Sequence, residues 1–134
     1  MIPFELAKLI IDDRKDQQMV VLKEKGGEKF LPIMIGFVEA SGIQMKLGGV
    51  TPPRPLTHDL LTQVLQSLEV KVEHVLIDDL VEGTFFAKLQ LRTQPGEVVI
   101  VDCRPSDGIA VAIRLQTPIF VDQSVLDKSM SQGL

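Results

Sequence analysis

Two short stretches carry the side chains best suited to handling a phosphate: Arg54-Pro55-Leu56-Thr57-His58-Asp59 and Arg104-Pro105-Ser106-Asp107. In each, an arginine and a proline precede a hydroxyl and an acid at the expected start of a helix. The unpaired N–H groups of a first helical turn attract anions, and an arginine beside them can hold a phosphate with two donors. Arg54, Arg104 and Ser106 are therefore candidate phosphate-binding residues. A structural alternative uses the same residues. The proline fixes the chain's direction, Thr57 or Ser106 caps the helix, Asp59 or Asp107 complements its dipole, and the arginine pairs with a carboxylate. From the pattern alone this alternative is the commoner outcome, because caps and surface pairs outnumber ligand sites.

The elements that must position these residues can be read from an apparent duplication. Ile11-Asp12-Asp13 recurs as Ile77-Asp78-Asp79, and Gly42-Ile43 as Gly108-Ile109 at the same offset. Each half reads strand, strand, strand, helix. A half that cannot bury its own apolar face must pack against its twin. The expected fold is thus α+β: a single domain over residues 1–134 built of two pseudo-twofold-related β-β-β-α repeats, with a largely antiparallel sheet and packed helices. The repeat halves span about 1–49 and 70–121, joined by a helix at about 57–69.

Within the second half, Phe85, Ala87, Leu89 and Leu91 alternate with Phe86, Lys88, Gln90 and Arg92, the signature of a half-buried strand. Gly26-Gly27, Glu82-Gly83 and Pro95-Gly96 mark turns. The first helix, about 36–47, should end at Gly48-Gly49. The second should start with Thr57 as its cap and turn Leu61, Val64, Leu65 and Leu68 inward. The third, from Ser106, is apolar almost all round and should be buried on more than one side. Ile119 to Val121 reads as a short strand, and Ser124 to Met130 as a last surface helix.

Composition bounds the rest. A chain of 134 residues that is 45% hydrophobic supports one core. Cys103 is the only cysteine, which excludes an intramolecular disulfide, and no secretory pattern is visible, so the cytoplasm is the expected location. No apolar run approaches a membrane span. A net charge of −4 argues against a broad basic surface, leaving a local patch for any nucleic-acid contact. With no Trp, no Tyr and 6 Phe, stacking platforms are few. Apolar strand faces in both halves point to a homo-oligomer.

Pro32-Ile33-Met34-Ile35-Gly36-Phe37-Val38-Glu39-Ala40, Arg54-Pro55-Leu56-Thr57-His58-Asp59-Leu60-Leu61, Gly83-Thr84-Phe85-Phe86-Ala87 and Arg104-Pro105-Ser106-Asp107-Gly108-Ile109-Ala110 resemble, in that order, the bifunctional nuclease domain family. The similarity extends to Pro118-Ile119-Phe120-Val121. It implies a domain reported to cleave both DNA and RNA in some plant members, while many bacterial members were long without an assigned function. Gly42 and Gly108 stand where alanine is frequent in the family, which weakens two helices slightly.

Phosphodiester hydrolysis needs a base or metal to activate water, positive charge for the phosphate and an acid for the leaving oxygen. Among the polar residues that match the family, Glu39, His58, Asp59 and Asp107 are the candidate catalytic residues, with His58 able to exchange a proton near neutral pH. Glu39, Asp102 and Asp107 could meet as a magnesium or manganese site, although no compact metal signature specifies one. The Asp12-Asp13 and Asp78-Asp79 pairs read more simply as acids that begin turns, at Arg14-Lys15-Asp16 and Leu80-Val81-Glu82-Gly83. His74 reads as a half-buried strand histidine and Cys103 as a small packed side chain. The functional expectation is a nuclease acting on DNA or RNA with little sequence preference. Its alternatives are a non-catalytic oligomeric binding or scaffold domain, and a binder of a small anionic ligand at the two Arg-Pro helix starts.

Overall fold

Among the described residues the period-2 and period-3.6 patterns of the sequence resolve into seven strands and four helices. The structure, a computed structural model, describes residues 1–131. In chain order these are β1 (Ile2–Ile10), β2 (Gln17–Glu24), β3 (Phe30–Gly36), α1 (Phe37–Leu47), α2 (Thr57–Ser67), β4 (Lys71–Val81), β5 (Thr84–Arg92), β6 (Val98–Cys103), α3 (Pro105–Leu115), β7 (Ile119–Val121) and α4 (Gln123–Ser131). The fold is mixed α+β, with one mostly antiparallel sheet in the order β3-β2-β1-β7-β4-β5-β6. Among the described residues only the β4–β7 pair is parallel. Among the described residues no helix is long and apolar enough to cross a membrane.

The three-residue strand β7 joins the sheet's two flanks: Ile2 to Phe4 pair with it on one side and Val75 to Ile77 on the other. Its sequence announces a strand but not this central place. Ala87, Leu89 and Leu91 face the core as the alternation in β5 requires. Helix α3 packs against β4 and β5 and is flanked by α1 and α2. Seven of its residues, among them Ile109, Ala110, Val111 and Ala112, are buried, in accord with its nearly uniform apolar surface. Gly108 permits that approach, because a Cβ there would lie 2.6 Å from Val75 Cγ1.

Several local expectations are corrected. Neither Thr57 nor Ser106 caps its helix: the N-cap positions are Leu56 and Arg104, both extended, at φ −75° and −76°. Helix α2 contacts the body along a narrow stripe, so Thr62 is its buried residue, Leu61 and Leu65 are half-buried, and Val64 and Leu68 are exposed. Asp78 and Asp79 lie inside β4, at a register shift after Ile77, and the turn falls later at Glu82-Gly83, both with positive φ. The Asp12 turn forms as expected, its carboxylate accepting from the backbone N–H of Arg14. Helix α4 is no surface appendage, since Val125, Leu126 and Ser129 are buried where it meets β4.

Candidate active site

Three helices begin with an acid at their third residue: Glu39 in α1, Asp59 in α2 and Asp107 in α3. A carboxylate there complements the positive end of the helix dipole and can fold back on the N-cap amide. Asp59 Oδ2 accepts from the Leu56 N–H at 2.9 Å, and Asp107 Oδ2 from the Arg104 N–H at 3.2 Å. In α1 the Glu39 carboxylate folds against Gly36, occupying the place where a side chain at that residue would start. Aligned on these acids, the two Arg-Pro stretches are out of register. Arg104 is itself an N-cap, whereas Arg54 precedes its N-cap by two residues, on the exposed loop before α2.

That offset decides which arginine joins the cluster. Arg104 Nε donates to Asp107 Oδ2 at 3.0 Å, Nη2 to Asp107 Oδ1 at 2.9 Å and Nη1 to Glu39 Oε1 at 3.1 Å. His58 Nε2 lies 2.9 Å from Asp107 Oδ1. One guanidinium thus ties α1 to α3, and one carboxylate ties α3 to α2. Burial by itself would raise the Asp107 carboxyl, but hydrogen bonds from the Arg104 and His58 side chains and the Arg104 amide outweigh it and hold it down at about 2. Asp107 is therefore ionised at neutral pH. Arg104 is raised in turn, chiefly by its bond to Asp107. With 63% of its side chain exposed, Arg104 engages three of its five N–H donors in these bonds.

The cluster forms one side of a cavity of about 450 Å³ between α1 and the starts of α2 and α3. Phe37, Val38, Met45 and Leu56 supply its apolar wall, and Gly42 a stretch of bare backbone. Arg114, on the same face of α3 as Asp107 and about two turns further on, completes the lining. Its side chain is only 5% exposed. Nε donates to Asp59 Oδ1 at 2.7 Å and Nη1 to the Ala110 carbonyl at 3.0 Å, while Nη2 has no hydrogen-bond partner among the described residues. The Asp59 carboxyl is held below its ordinary range, first by the Arg114 hydrogen bond and then by the Leu56 amide.

Of the residues expected from sequence, Glu39, His58, Arg104 and Asp107 meet at this cavity. Asp59 stands behind it as the partner of Arg114. Ser106 is buried and faces a different hollow, beside Pro105 and Phe85. Arg54 does not line the cavity. Asp102 is turned to Lys88, which also pairs with Asp78. Cys103 is half-buried, and its thiol is pushed up to about 11, first by burial and then by the charge of Asp107, so it carries little thiolate at neutral pH. His74 sits edge-on to Phe120, 5.5 Å between ring centres, as a packed strand histidine does.

The expected convergence of Glu39, Asp102 and Asp107 on a divalent cation is not what the side chains form. Asp102 points elsewhere, and the Arg104 guanidinium fills the gap between the other two carboxylates. Both Asp107 oxygens already accept hydrogen bonds. Among the described residues no group of three or more His, Cys, Asp or Glu is placed to hold a metal ion. This donor set does not fit a resident magnesium or manganese ion.

Arg114, Phe37 and Leu56 were missed in the sequence. Arg114 had a signal, as the one charged residue within the apolar run of α3 after Asp107; beside a helix C-terminus it reads as a dipole partner. Phe37 and Leu56 had none.

Comparison with known proteins gives a consistent picture. The model of the bifunctional nuclease domain matches residues 20–132. An uncharacterized protein of Mycobacterium tuberculosis is 40% identical over 116 residues, covering 87% of this chain and 68% of that protein. Bifunctional nuclease 1 of Oryza sativa subsp. indica is 26% identical over 120 residues, and bifunctional nuclease 2 of Oryza sativa subsp. japonica 29% over 119. The chain spans 36% of the length of each rice protein.

Proposed function

The chain belongs to the bifunctional nuclease domain family, and on that footing we propose that it hydrolyses phosphodiester bonds of DNA or RNA at the cavity beside Arg104. The observation that carries the proposal is the chain of contacts His58–Asp107–Arg104–Glu39, which sets a proton carrier beside an exposed guanidinium. The two unengaged N–H donors of Arg104 bind phosphate oxygens, and the guanidinium offsets the charge that builds on them as water attacks. With Nε2–H donating to Asp107, the tautomer the ionised carboxylate favours, His58 Nδ1 is left as the acceptor for a proton from water. Asp107 fixes the ring's orientation and stabilises the imidazolium that forms, as the acid does in a catalytic triad. His58 then returns the proton to the leaving oxygen. None of these contacts involves a base, in keeping with little sequence preference.

The test is cleavage of labelled single-stranded RNA and double-stranded DNA by highly purified protein with magnesium, with manganese and with EDTA. His58→Ala and Arg104→Met are run beside it, each checked for an unchanged melting profile. Loss of cleavage in both folded variants is expected. Equal cleavage by wild type and variants would point to a contaminant and overturn the assignment. The EDTA arm decides whether a divalent ion brought with the substrate takes part.

A second reading, a non-catalytic scaffold, draws on one feature of the same cluster: its charged groups pair with one another and join three helices, as a purely structural network would. Absence of cleavage under all three conditions would favour it. The finer reading of the fold as a duplicated β-β-β-α unit is supported by the strand order, with β1 to β3 on one flank of β7 and β4 to β6 on the other. Self-association is supported by the edge strand β6, where Val98, Val99, Ile100 and Val101 are all exposed. Light scattering on wild type and Ile100→Lys checks it, with a smaller species expected for the variant.

A further inference from the structure

The cavity holds more than hydrolysis needs. Binding a phosphate and moving a proton use Arg104, His58 and Asp107 at its polar side, and leave unexplained an apolar wall that includes Phe37, 43% exposed, with Arg114 beside it. Arg114 is the informative residue. Its side chain is 5% exposed and its Nε and Nη1 are engaged, while Nη2 has no hydrogen-bond partner among the described residues and stands 3.9 Å from where a Cβ on Gly42 would lie, on the cavity lining. Facing the cavity, it is a donor that an acceptor on a bound ligand can meet in place of water.

A ligand matching these features has a flat apolar body, a hydrogen-bond acceptor on its edge and an anion attached. We infer that the cavity receives the nucleobase of an unpaired nucleotide, with Phe37 against the ring, Arg114 Nη2 donating to a carbonyl or ring nitrogen on the base edge, and Arg104 holding the adjacent phosphate. This rests on the nuclease reading and narrows its substrate class to single-stranded nucleic acid. A base inside a duplex is stacked and paired on that edge, and reaches such a pocket only by leaving the helix. A volume of about 450 Å³ is within the range of small-molecule sites and has room for a base with its sugar. With Nε and Nη1 already engaged, a single donor nitrogen meets an acceptor that every base carries on an edge, so the pocket is expected to distinguish a base from none rather than one base from another.

Gly42 provides the test. A Cβ there would make ordinary contacts, 3.8 Å from Leu56 Cδ1 and 3.9 Å from Arg114 Nη2, so the backbone tolerates a side chain. Gly42→Leu would fill the cavity without altering the charged cluster. Calorimetric titration compares guanosine 5′-phosphate with ribose 5-phosphate, and a single-stranded octanucleotide with its duplex, on wild type, Gly42→Leu and Phe37→Ala. Wild type is expected to bind the base-bearing and single-stranded member of each pair about tenfold more tightly, the scale of one stacked base. Both variants are expected to lose that difference while still binding ribose 5-phosphate. Should Gly42→Leu fail to fold, Phe37→Ala carries the test alone. Equal affinities within the mononucleotide pair, or a preference that persists in folded variants, would overturn the base pocket. Preference for guanosine 5′-phosphate without preference for the single strand would overturn the substrate class. Because binding is the readout, a base preference without cleavage sinks only the hydrolytic reading.

Discussion

His58 Nε2 lies 2.9 Å from Asp107 Oδ1, although the two residues are 49 positions apart and sit at the starts of different helices. With 16% and 23% of their side chains exposed, they are shielded enough for the contact to orient a ring and open enough to meet a substrate. Removing the ring should touch catalysis far more than folding. His58→Ala is expected to lower cleavage by about 10²- to 10⁴-fold with little change in melting temperature. Single-turnover rates beside a thermal melt check this, and a folded variant at full rate would remove His58 from the mechanism.

Asp107 should leave a mark on acid stability. Its carboxyl ordinarily titrates near 3.8 and is held at about 2 in the folded protein. A depressed folded value means that the contribution is fully present above pH 4 and is lost as the pH falls through 2. It amounts to about 2 kcal/mol at neutral pH. Urea unfolding from pH 6 to pH 2 should show wild type and Asp107→Asn converging as the pH drops, the variant being the less stable at pH 6. A constant gap across that range would contradict the assignment.

Asp59 is expected to matter for stability before chemistry. It accepts from the Arg114 Nε and from the Leu56 amide, so Asp59→Ala leaves a largely buried guanidinium without its countercharge and a helix start without its partner. A loss of about 2 kcal/mol is expected, less than for a fully buried pair because 26% of the Asp59 side chain is exposed. Asp59→Asn, which keeps an acceptor, should fall between the two. Equal stability of all three proteins in urea would show that the pair contributes nothing.

The two glycines of the helices should respond in opposite directions to alanine. At Gly42 the new Cβ makes only ordinary contacts, so Gly42→Ala gains helix propensity and should stabilise by about 0.5–1 kcal/mol. At Gly108 it would press on Val75 Cγ1 at 2.6 Å, and Val75 is fully buried and stiff at its branch. Gly108→Ala should destabilise by about 1–3 kcal/mol despite the same propensity gain. Calorimetric melting of the two variants settles the signs.

Much of this was written locally. The alternation at Phe85 to Arg92 determined which face of β5 is buried, the unbroken apolar run after Asp107 determined a buried α3, and the acids Asp59 and Asp107 mark two helix starts. Those features depend on residues within a turn or two of each other, where spacing alone fixes which side chains share a face. The caps were misplaced because a hydroxyl before an acid looks alike whether it precedes the first turn or lies within it; only the backbone angles at Leu56 and Arg104 distinguish the two.

What the tertiary structure decided is which of the chemically similar residues act together. The chain wrote two Arg-Pro starts of like composition, but the register of each arginine against its own helix put Arg104 between Glu39 and Asp107 and left Arg54 outside. Packing of α1 and α2 against α3 then placed His58 on Asp107 and buried Arg114 beside Asp59. Sequence fixes the identity and local angle of each such side chain. Their meeting depends on how helices far apart in the chain cross over one sheet, a matter of packed surfaces that no local spacing records.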